Sequence, residues 1–171
     1  MTVPILYQVQ TYGALVWSKT IDTAVTSVTT DGEVLLDCNA HGGYEFEFCF
    51  VENGASDYNL YYNNDQDSGN YYRTFLYGSN TISPTTGYAG DARIALAQGN
   101  AVLHIVNGHI GRHPSGMPIT SAQQGSSSTT LIALTTHRYV TTVSNITRID
   151  IVALVANGIG VNSRFRLWRR M

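Results

Sequence analysis

The clearest indication of the fold is the segment Tyr44-Glu45-Phe46-Glu47-Phe48-Cys49-Phe50-Val51. Phenylalanine occupies every second position, and two glutamates and a cysteine fill the positions between them. Successive side chains of a β-strand point to opposite faces of the sheet. The alternation therefore predicts a strand with an apolar face against a core and a polar face toward solvent.

Further strands are predicted on both sides of this segment, where β-branched and aromatic residues lie between turn signals. The upstream candidates are residues 5–17, residues 20–30 (a strand or an extended arm) and residues 33–38. Residues 58–63 and 71–77 flank a polar tip at residues 64–70, and this arrangement predicts a hairpin. The remaining candidates are residues 101–106, 129–140, 148–156 and 162–168.

The connections complete the fold prediction. Residues 78–100 and 108–128 are rich in Gly, Ser, Asn, Pro and Thr and are predicted as two long loops, the first with a helical turn at residues 92–97. Nine or ten strands without crossover helices predict an all-β fold, an antiparallel β-sandwich or jelly roll. The length fits a single domain, 1–171, in which residues 1–30 form either an extended N-terminal arm or the first strands.

The composition of the 171 residues excludes several classes of protein. Only 13% of the residues are charged, with one lysine and four glutamates, so an all-α fold is nearly excluded. No apolar run reaches the roughly 18 residues of a membrane helix, and no basic and apolar leader is visible, so neither a membrane partner nor a secretory signal is expected. The net charge of −2 gives no global attraction to nucleic acid, which is not expected as a partner.

The few charges are sorted along the chain. Residues 1–91 carry eleven of the 12 acidic residues, whereas residues 92–171 carry eight arginines and one acid. One interpretation is that the two halves interleave in a single sandwich and neutralise each other. The alternative is a polar molecule that docks head to tail or onto an acidic neighbour.

No pattern of catalytic or metal-binding residues stands out. Asp65 and Asp67 near Gly69 have the alternation of a calcium loop, but the required downstream glutamate is missing and turn geometry explains them. The five histidines lack zinc spacing, and no nucleophile or phosphate-loop motif is present. Glu45 and Glu47 could act as a glycosidase pair, although an outward polar face is the simpler explanation. We expect no enzymatic activity, no metal and no cofactor.

The two cysteines and a possible glycosylation site can each be interpreted in two ways. Cys38 and Cys49 lie on neighbouring candidate strands, where two free buried thiols are favoured over a cross-strand disulfide. Asn145-Ile146-Thr147 matches a glycosylation sequon, which carries little weight without a secretory signal.

Tyrosines are concentrated on both sides of the polar tip. Exposed tyrosine next to aspartate and asparagine suits contact with a carbohydrate or a protein, since the ring stacks and the polar groups form hydrogen bonds. The alternative is ordinary aromatic pairing between strands. The candidate ligand-binding residues are Tyr58, Tyr62, Asp65, Asp67, Tyr71 and Tyr72.

Three stretches taken together resemble small β-proteins of tailed bacteriophages. They are the strand, polar tip and tyrosine-rich strand of residues 59–72, the apolar strand after a glycine-rich loop at residues 99–108, and the strand pair formed by residues 145–151 and 163–168. The match covers about half of the chain. It departs from the resembled pattern at residues 78–98 and 109–128 and in the added residues 169–171. The resemblance implies a virion structural protein built as a β-sandwich, and it brings no catalytic residues.

The leading expectation is a non-enzymatic protein on the surface of the phage virion, either a capsid decoration or a head-appendage protein. Its expected partners are other virion proteins and further copies of itself, as a trimer or higher homo-oligomer. Arginine pairs with carboxylates through a planar fork and suits such contacts. The candidate interface residues are Arg112, Arg164, Arg166, Arg169 and Arg170. The alternative is a tail-fibre or spike module for host attachment that binds a cell-surface glycan through the tyrosine-rich tip.

Overall fold

Two antiparallel β-sheets pack with their apolar faces against each other. The computed structural model describes residues 13–41, 43–54, 57–78, 82–84, 88–89, 92–96, 99–105, 115–116, 119–123, 130–141 and 143–170. In chain order the strands are β1 (Ala14–Thr20), β2 (Ser27–Thr29), β3 (Tyr44–Phe50), β4 (Asp57–Tyr62), β5 (Tyr71–Gly78), β6 (Ile82–Pro84), β7 (Tyr88–Ala89), β8 (Arg93–Leu96), β9 (Gly99–Ile105), β10 (Ser115–Gly116), β11 (Ile119–Gln123), β12 (Thr130–Tyr139), β13 (Ile149–Ala153) and β14 (Arg164–Arg169). The helical elements are a four-residue helix α1 (Cys38–His41) and a 3₁₀ turn at Ser68–Asn70.

The larger sheet joins strands that are far apart in sequence. Its order is β1-β14-β3-β9-β11-β12-β5-β6, with β10 also paired to β12 and β7 also paired to β5. The smaller sheet has the order β2-β13-β4-β8. All of these ladders are antiparallel. The prediction of an all-β antiparallel sandwich is confirmed.

The aromatic face of β3 forms the centre of the core. Tyr44, Phe46, Phe48 and Phe50 are buried, whereas the three residues between them are only partly buried, as the sequence alternation predicts. The ring of Phe50 stacks on that of Tyr58 in β4, with centroids 3.8 Å apart and planes 4° from parallel. Because β3 and β4 belong to different sheets, this stack joins the two layers of the sandwich.

The predicted hairpin across residues 64–70 is wrong. β4 lies in the smaller sheet and β5 lies in the larger one, and no ladder joins them among the described residues. Asn63 and Asn64 adopt left-handed backbone conformations, with φ of 53° and 60°, and redirect the chain at the end of β4. A polar tip of Asn, Asp and Gly forms equally well at a hairpin and at a corner between sheets, so its composition could not separate the two.

The predicted strand at residues 33–38 is also wrong. The N–H groups of Glu33 and Val34 both donate to the Thr30 carbonyl, which turns the chain, and the segment then leads into α1 without joining a ladder. Only one of its two leucines enters the core: Leu36 is 1% exposed and Leu35 is 90% exposed.

The two segments predicted as long loops contain strands. Residues 78–100 include β6, β7 and β8, and residues 108–128 include β10 and β11. The predicted helical turn at residues 92–97 is wrong, because β8 pairs with β4 and the Arg93 guanidinium pairs with Asp57 at 3.0 Å. Strands of two to five residues are too short to show a clear alternation in the sequence.

Several other elements match their predictions closely. β9, β12, β13 and β14 lie within or beside the predicted strands at residues 101–106, 129–140, 148–156 and 162–168. Residues 14–20 form an edge strand, and the remainder of the predicted N-terminal arm before residue 13 lies outside the described residues. No helix in the described part of the chain is long and apolar enough to cross a membrane.

Candidate functional site

Asp65 organises the corner between β4 and β5. One oxygen of its carboxylate accepts the Asp67 N–H at 3.0 Å, and the other accepts the Asn70 side-chain amide at 2.8 Å. That second oxygen also accepts the Tyr139 hydroxyl at 2.6 Å, from the end of β12. The carboxylate thus ties both sides of the tip to the larger sheet.

Tyr71 completes the corner from the start of β5. Its hydroxyl donates to the Asp65 carbonyl at 2.7 Å and accepts the Tyr62 N–H at 3.0 Å. The side chain therefore satisfies a backbone group that a hairpin ladder would have paired. Asp67 accepts the Gly69 N–H at 2.9 Å and caps the 3₁₀ turn.

The ionisation of these groups follows from their contacts. Burial raises the pKa of Asp65, but the hydrogen bonds from Tyr139, Asp67 and Asn70 together outweigh it, so this pKa lies below its usual value. Burial raises the pKa of Tyr139 to about 12, and its hydrogen bond to the Asp65 carboxylate adds to the shift. Burial also raises the pKa of Tyr62 and Tyr71. At neutral pH the ionised Asp65 carboxylate therefore lies among neutral phenols.

The structure brings Tyr62, Asp65 and Tyr71 together at the corner, and it turns three of the six predicted ligand-binding residues inward. Tyr58, Tyr62 and Tyr71 are at most 1% exposed, and Asp65 is partly buried. Tyr72, at 38%, and Asp67 remain at the surface. The buried rings pack in the core and at the corner, as in the pair of Tyr71 and Tyr139 with centroids 5.0 Å apart. These three tyrosines have no ring face available for stacking on an external sugar.

An open groove lies beside the corner. It has a volume of about 510 Å³ and is lined by residues 31–35, Asn63, Asn64, Thr147 and Arg148. The Asn63 amide holds one wall in place: its oxygen accepts the N–H groups of Thr147 and Arg148 at 2.9 and 3.3 Å. Leu35 lies at the groove with nearly its whole side chain in solvent.

The charged groups of the groove are bound to each other and to the scaffold. The Arg148 guanidinium donates to Asp31 at 2.9 Å and to the buried Asp150 at 2.8 and 2.9 Å. Glu33 accepts hydrogen bonds from Lys19 and from the Trp17 indole, and these bonds lower its pKa. A glycosidase acid needs a raised pKa, so Glu33 is poorly suited to that role.

The second surface of interest is the outer face of β14. Burial alternates along this strand: Arg164 and Arg166 are exposed, whereas Phe165 and Leu167 are buried. Arg166 pairs across to Glu47 of β3, with 3.5 Å between guanidinium and carboxylate, and both side chains remain almost half exposed. A shallow hollow of about 330 Å³ is lined by these two residues together with Arg164 and Cys49.

The other predicted interface residues differ in position. Arg169 pairs with Ala14 and Tyr44 in the ladders of β14, and Arg170 is exposed just beyond the strand. Arg112 lies outside the described residues. Among the described residues, ion pairs that join the acidic and basic halves of the sequence include Arg93–Asp57, Arg148–Asp31 and Arg166–Glu47, as expected for interleaved halves.

The cysteines are both free. Cys38 is completely buried at the start of α1, where burial raises its pKa to about 12, with Asp37 adding to the shift. Cys49 lies on the outer face of β3 and is partly buried. Within the described ranges, no three His, Cys, Asp or Glu side chains are grouped to hold a metal ion. The sequon asparagine, Asn145, uses its amide to donate to Asp37 at 2.9 Å.

Sequence reasoning missed three residues that hold these sites together, Asn63, Tyr139 and Arg148. Consecutive asparagines favour left-handed backbone, and this local signal could have identified Asn63. Tyr139 and Arg148 act on partners far away in the sequence, so no local pattern marks them. No known protein family, curated protein or solved structure matches the chain.

Proposed function

We propose that the chain is a non-enzymatic structural protein on the surface of a tailed-phage particle, a capsid decoration or head-appendage protein. The observation that carries this proposal is the outer face of β14. Arg164 and Arg166 project there from a strand whose opposite face packs in the core through Phe165 and Leu167, which makes a charged surface with only a shallow hollow. Such a surface fits docking to a neighbouring protein better than enclosing a small substrate.

Exposed apolar side chains on the same molecule support the proposal. Several large apolar residues keep more than a third of their surface in solvent, whereas charged residues are scarce in the chain. Protein–protein interfaces are depleted of charge at their centre and place arginine among apolar groups. The exposed apolar residues are Leu15, Leu35, Val51, Tyr72, Leu154, Val155 and Val161.

The non-enzymatic part of the proposal rests on how the groove acids are used. Asp31 pairs with Arg148, and Glu33 is held by Lys19 and Trp17. Both carboxylates therefore serve as structural acceptors and have fixed partners. A pair acting as acid and base needs one proton-bearing member next to a substrate.

Particle occupancy tests the virion role. Mass spectrometry of purified particles should find the chain in a fixed ratio to the major capsid protein. The double variant Arg164→Glu/Arg166→Glu should fold normally and be depleted from particles by at least about tenfold, since like charges across an interface are strongly unfavourable. Arg138→Glu, at an exposed position on β12, is the matched control and should leave the occupancy unchanged.

Two results would refute the virion role: absence of the wild-type chain from particles, or unchanged occupancy of the double variant. Truncation after residue 168 is a poorer test than these substitutions. Arg169 belongs to the ladders of β14, so its removal shortens the strand as well as removing charge.

A second candidate function, glycan recognition, is favoured by the groove beside the corner. Asn64 and Thr147 line it with exposed hydrogen-bonding groups, and Leu35 offers an apolar contact. Sugar sites combine hydrogen-bonding groups of this kind with an apolar platform. In this hypothesis the chain is a tail-fibre or spike module, and the groove replaces the buried tyrosines as the binding surface.

Glycan-array binding with one pair of matched variants tests this alternative. Asn64→Gly removes an amide at the groove and keeps the positive φ, and Asn157→Gly makes the same change at an exposed left-handed position elsewhere. Binding that is lost in the first variant and kept in the second would support the groove. An intact chain that binds no glycan would eliminate the hypothesis. Alanine at Tyr62 or Tyr71 would not be informative, because it would open the core.

A further inference from the structure

The hollow between β14 and β3 has three charged corners and one uncharged corner. Arg164 and Arg166 line one side of it, and Cys49 and Glu47 line the other. The ladder sets Arg166 opposite Glu47 and Arg164 opposite Cys49. Alternate residues of a strand lie about 6.7 Å apart and neighbouring strands about 4.8 Å apart, so the four positions form a small rectangle. Two guanidinium groups and one carboxylate leave the lining with an excess of positive charge.

Arg164 is the source of this excess charge. Arg166 contacts Glu47 at 3.5 Å, whereas Arg164 makes no ion pair with any residue that the structure describes. On its other side β14 pairs with β1, and the residue opposite Arg164 there is Thr20, which is exposed and uncharged. The exposed guanidinium of Arg164 therefore lies between two uncharged neighbours, one on each flanking strand.

The charge and geometry of the hollow favour a single carboxylate as its ligand. A guanidinium pairs with a carboxylate through two parallel hydrogen bonds. A carboxylate above Cys49 would give Arg164 the partner that Glu47 gives Arg166. A group with several negative charges, such as a phosphate chain, is disfavoured because Glu47 lies only about 6.7 Å along the same strand.

A carboxylate on a neighbouring protein fits this position better than a free acid. A single ion pair at an exposed site binds weakly, so Arg164 alone would not retain a small acid from solution. An acidic side chain of a docked protein is held in place by the rest of the interface. The interface also excludes water from the pair and so strengthens the attraction between its charges.

We propose that the hollow binds one aspartate or glutamate side chain of a neighbouring protein, which pairs with Arg164 above Cys49. The inference rests on the proposed function, since that proposal supplies the neighbour at the particle surface. It adds the chemical group that the neighbour must present. Arg166 and Glu47 have a different role, because they pair within the chain and set the charge of the hollow.

Cys49 can report on the carboxylate position, because it lines the hollow. Iodoacetate, which carries a carboxylate, and iodoacetamide, which is neutral, both alkylate a thiolate: a C–S bond forms and iodide leaves. Since both reagents attack the same sulfur, the ratio of their rate constants cancels any change in thiol pKa. In dilute native protein, the ratio of iodoacetate to iodoacetamide rates should be at least about threefold higher for Cys49 than for glutathione.

Arginine substitutions test the origin of this ratio. Arg164→Gln should reduce the Cys49 ratio to about that of glutathione. Arg170→Gln is the matched control: it removes the same charge at an exposed position about 20 Å farther along the chain, beyond the Debye length at physiological salt. This control should keep the wild-type ratio. Peptide mass spectrometry checks that the buried Cys38 stays unmodified.

Particle occupancy tests whether a neighbouring protein supplies the carboxylate. Cys49→Asp places a carboxylate of the chain itself opposite Arg164, so it should exclude the neighbour's acid and lower occupancy at least about threefold. Cys49→Asn has nearly the same shape without the charge, and it should keep the wild-type occupancy. Circular dichroism checks that both variants fold.

Several results would overturn the inference. The Cys49 ratio could match that of glutathione, or exceed it equally in Arg164→Gln. Cys49→Asp could enter particles as well as Cys49→Asn does, which would make the hollow a site for free acids. A single-stranded oligonucleotide could protect Cys49 from both reagents, which would make it a phosphate site. These results leave the virion role standing, whereas absence of the wild type from particles would refute that role and the neighbour that the inference requires.

Discussion

Replacing Tyr139 by phenylalanine should destabilise the corner between β4 and β5, chiefly through loss of the hydrogen bond to Asp65. The Tyr139 hydroxyl is 2.6 Å from the Asp65 carboxylate, and its side chain is only 3% exposed. Hydrogen bonds to charged groups contribute about 1.5–3 kcal/mol. Asp65 keeps its bonds from Asp67 and Asn70 in the variant, so the loss should be about 2 kcal/mol, or about 4–8 °C in Tm for a chain of this size.

The size of this effect should depend on pH. The folded-state pKa of Asp65 lies below its unfolded value, because the folded protein binds the ionised carboxylate. The free energy of unfolding that this binding contributes is fully present above the unfolded pKa of about 3.9, and it is lost as the pH falls through the folded pKa. A hydrogen bond to an ionised group is about twice as strong as one between neutral groups. The destabilisation by Tyr139→Phe should therefore be smaller at a pH of about 2.5 than at pH 7.

Urea unfolding followed by circular dichroism, at both pH values, measures the effect. Tyr72→Phe is the matched control: it removes the same hydroxyl from a neighbouring strand at a side chain 38% exposed, and should change the free energy of unfolding by less than about 0.5 kcal/mol. A change below about 0.5 kcal/mol for Tyr139→Phe at pH 7, or one of equal size at both pH values, would contradict the assigned role of the Asp65 carboxylate.

Three further predictions concern backbone packing, thiol reactivity and the groove wall. Gly160→Ala should lower the free energy of unfolding by about 1–3 kcal/mol in urea titrations, because the added Cβ would lie 2.6 Å from the Val51 carbonyl oxygen. Unchanged stability would show that the backbone can move to make room for the methyl group. In dilute native protein at pH 8, iodoacetamide should modify Cys49 and spare Cys38 until the chain unfolds, as peptide mass spectrometry can measure; early modification of Cys38 would be inconsistent with its burial. Asn63→Gly keeps the positive φ but removes the amide that holds the groove wall, so it should lower the free energy of unfolding by about 1–3 kcal/mol. The control Asn157→Gly should change it by less than about 0.5 kcal/mol, and equal effects of the two variants would refute the role of the amide.

The elements that sequence reasoning located correctly are those with a local cause. The burial of phenylalanine and the partial exposure of the polar residues between them in β3 depend only on the pleat of a strand. The same rule exposes Arg166 and buries its neighbours in β14. The prediction that β4 pairs with β5 was wrong because the tip residues specify a turn and leave open which sheet the next strand joins. That choice is made by Tyr71 together with its partner strand β12, far along the chain.

The candidate site was predictable in composition and not in orientation. The sequence places Tyr62, Asp65 and Tyr71 near one another, as the structure does. Whether the two tyrosine rings face solvent or the core depends on Tyr139 of β12, which packs against both of them and binds Asp65. By contrast, the exposure of Arg164 and Arg166 follows from their alternation with apolar residues, and for that reason it was predictable.

The position of β14 between β1 and β3 has a consequence for how the chain reaches its folded state. More than a hundred residues separate β3 from the strand that completes its ladder. The entropic cost of closing so long a loop is incurred before the contacts of β14 can stabilise the sheet. Domains dominated by such distant pairings fold in about milliseconds to seconds. Until β14 arrives, the phenylalanine-bearing strand has an open edge that can pair with another unfinished chain. Rapid refolding at high protein concentration should therefore favour aggregation, and slow dilution should favour the native sheet.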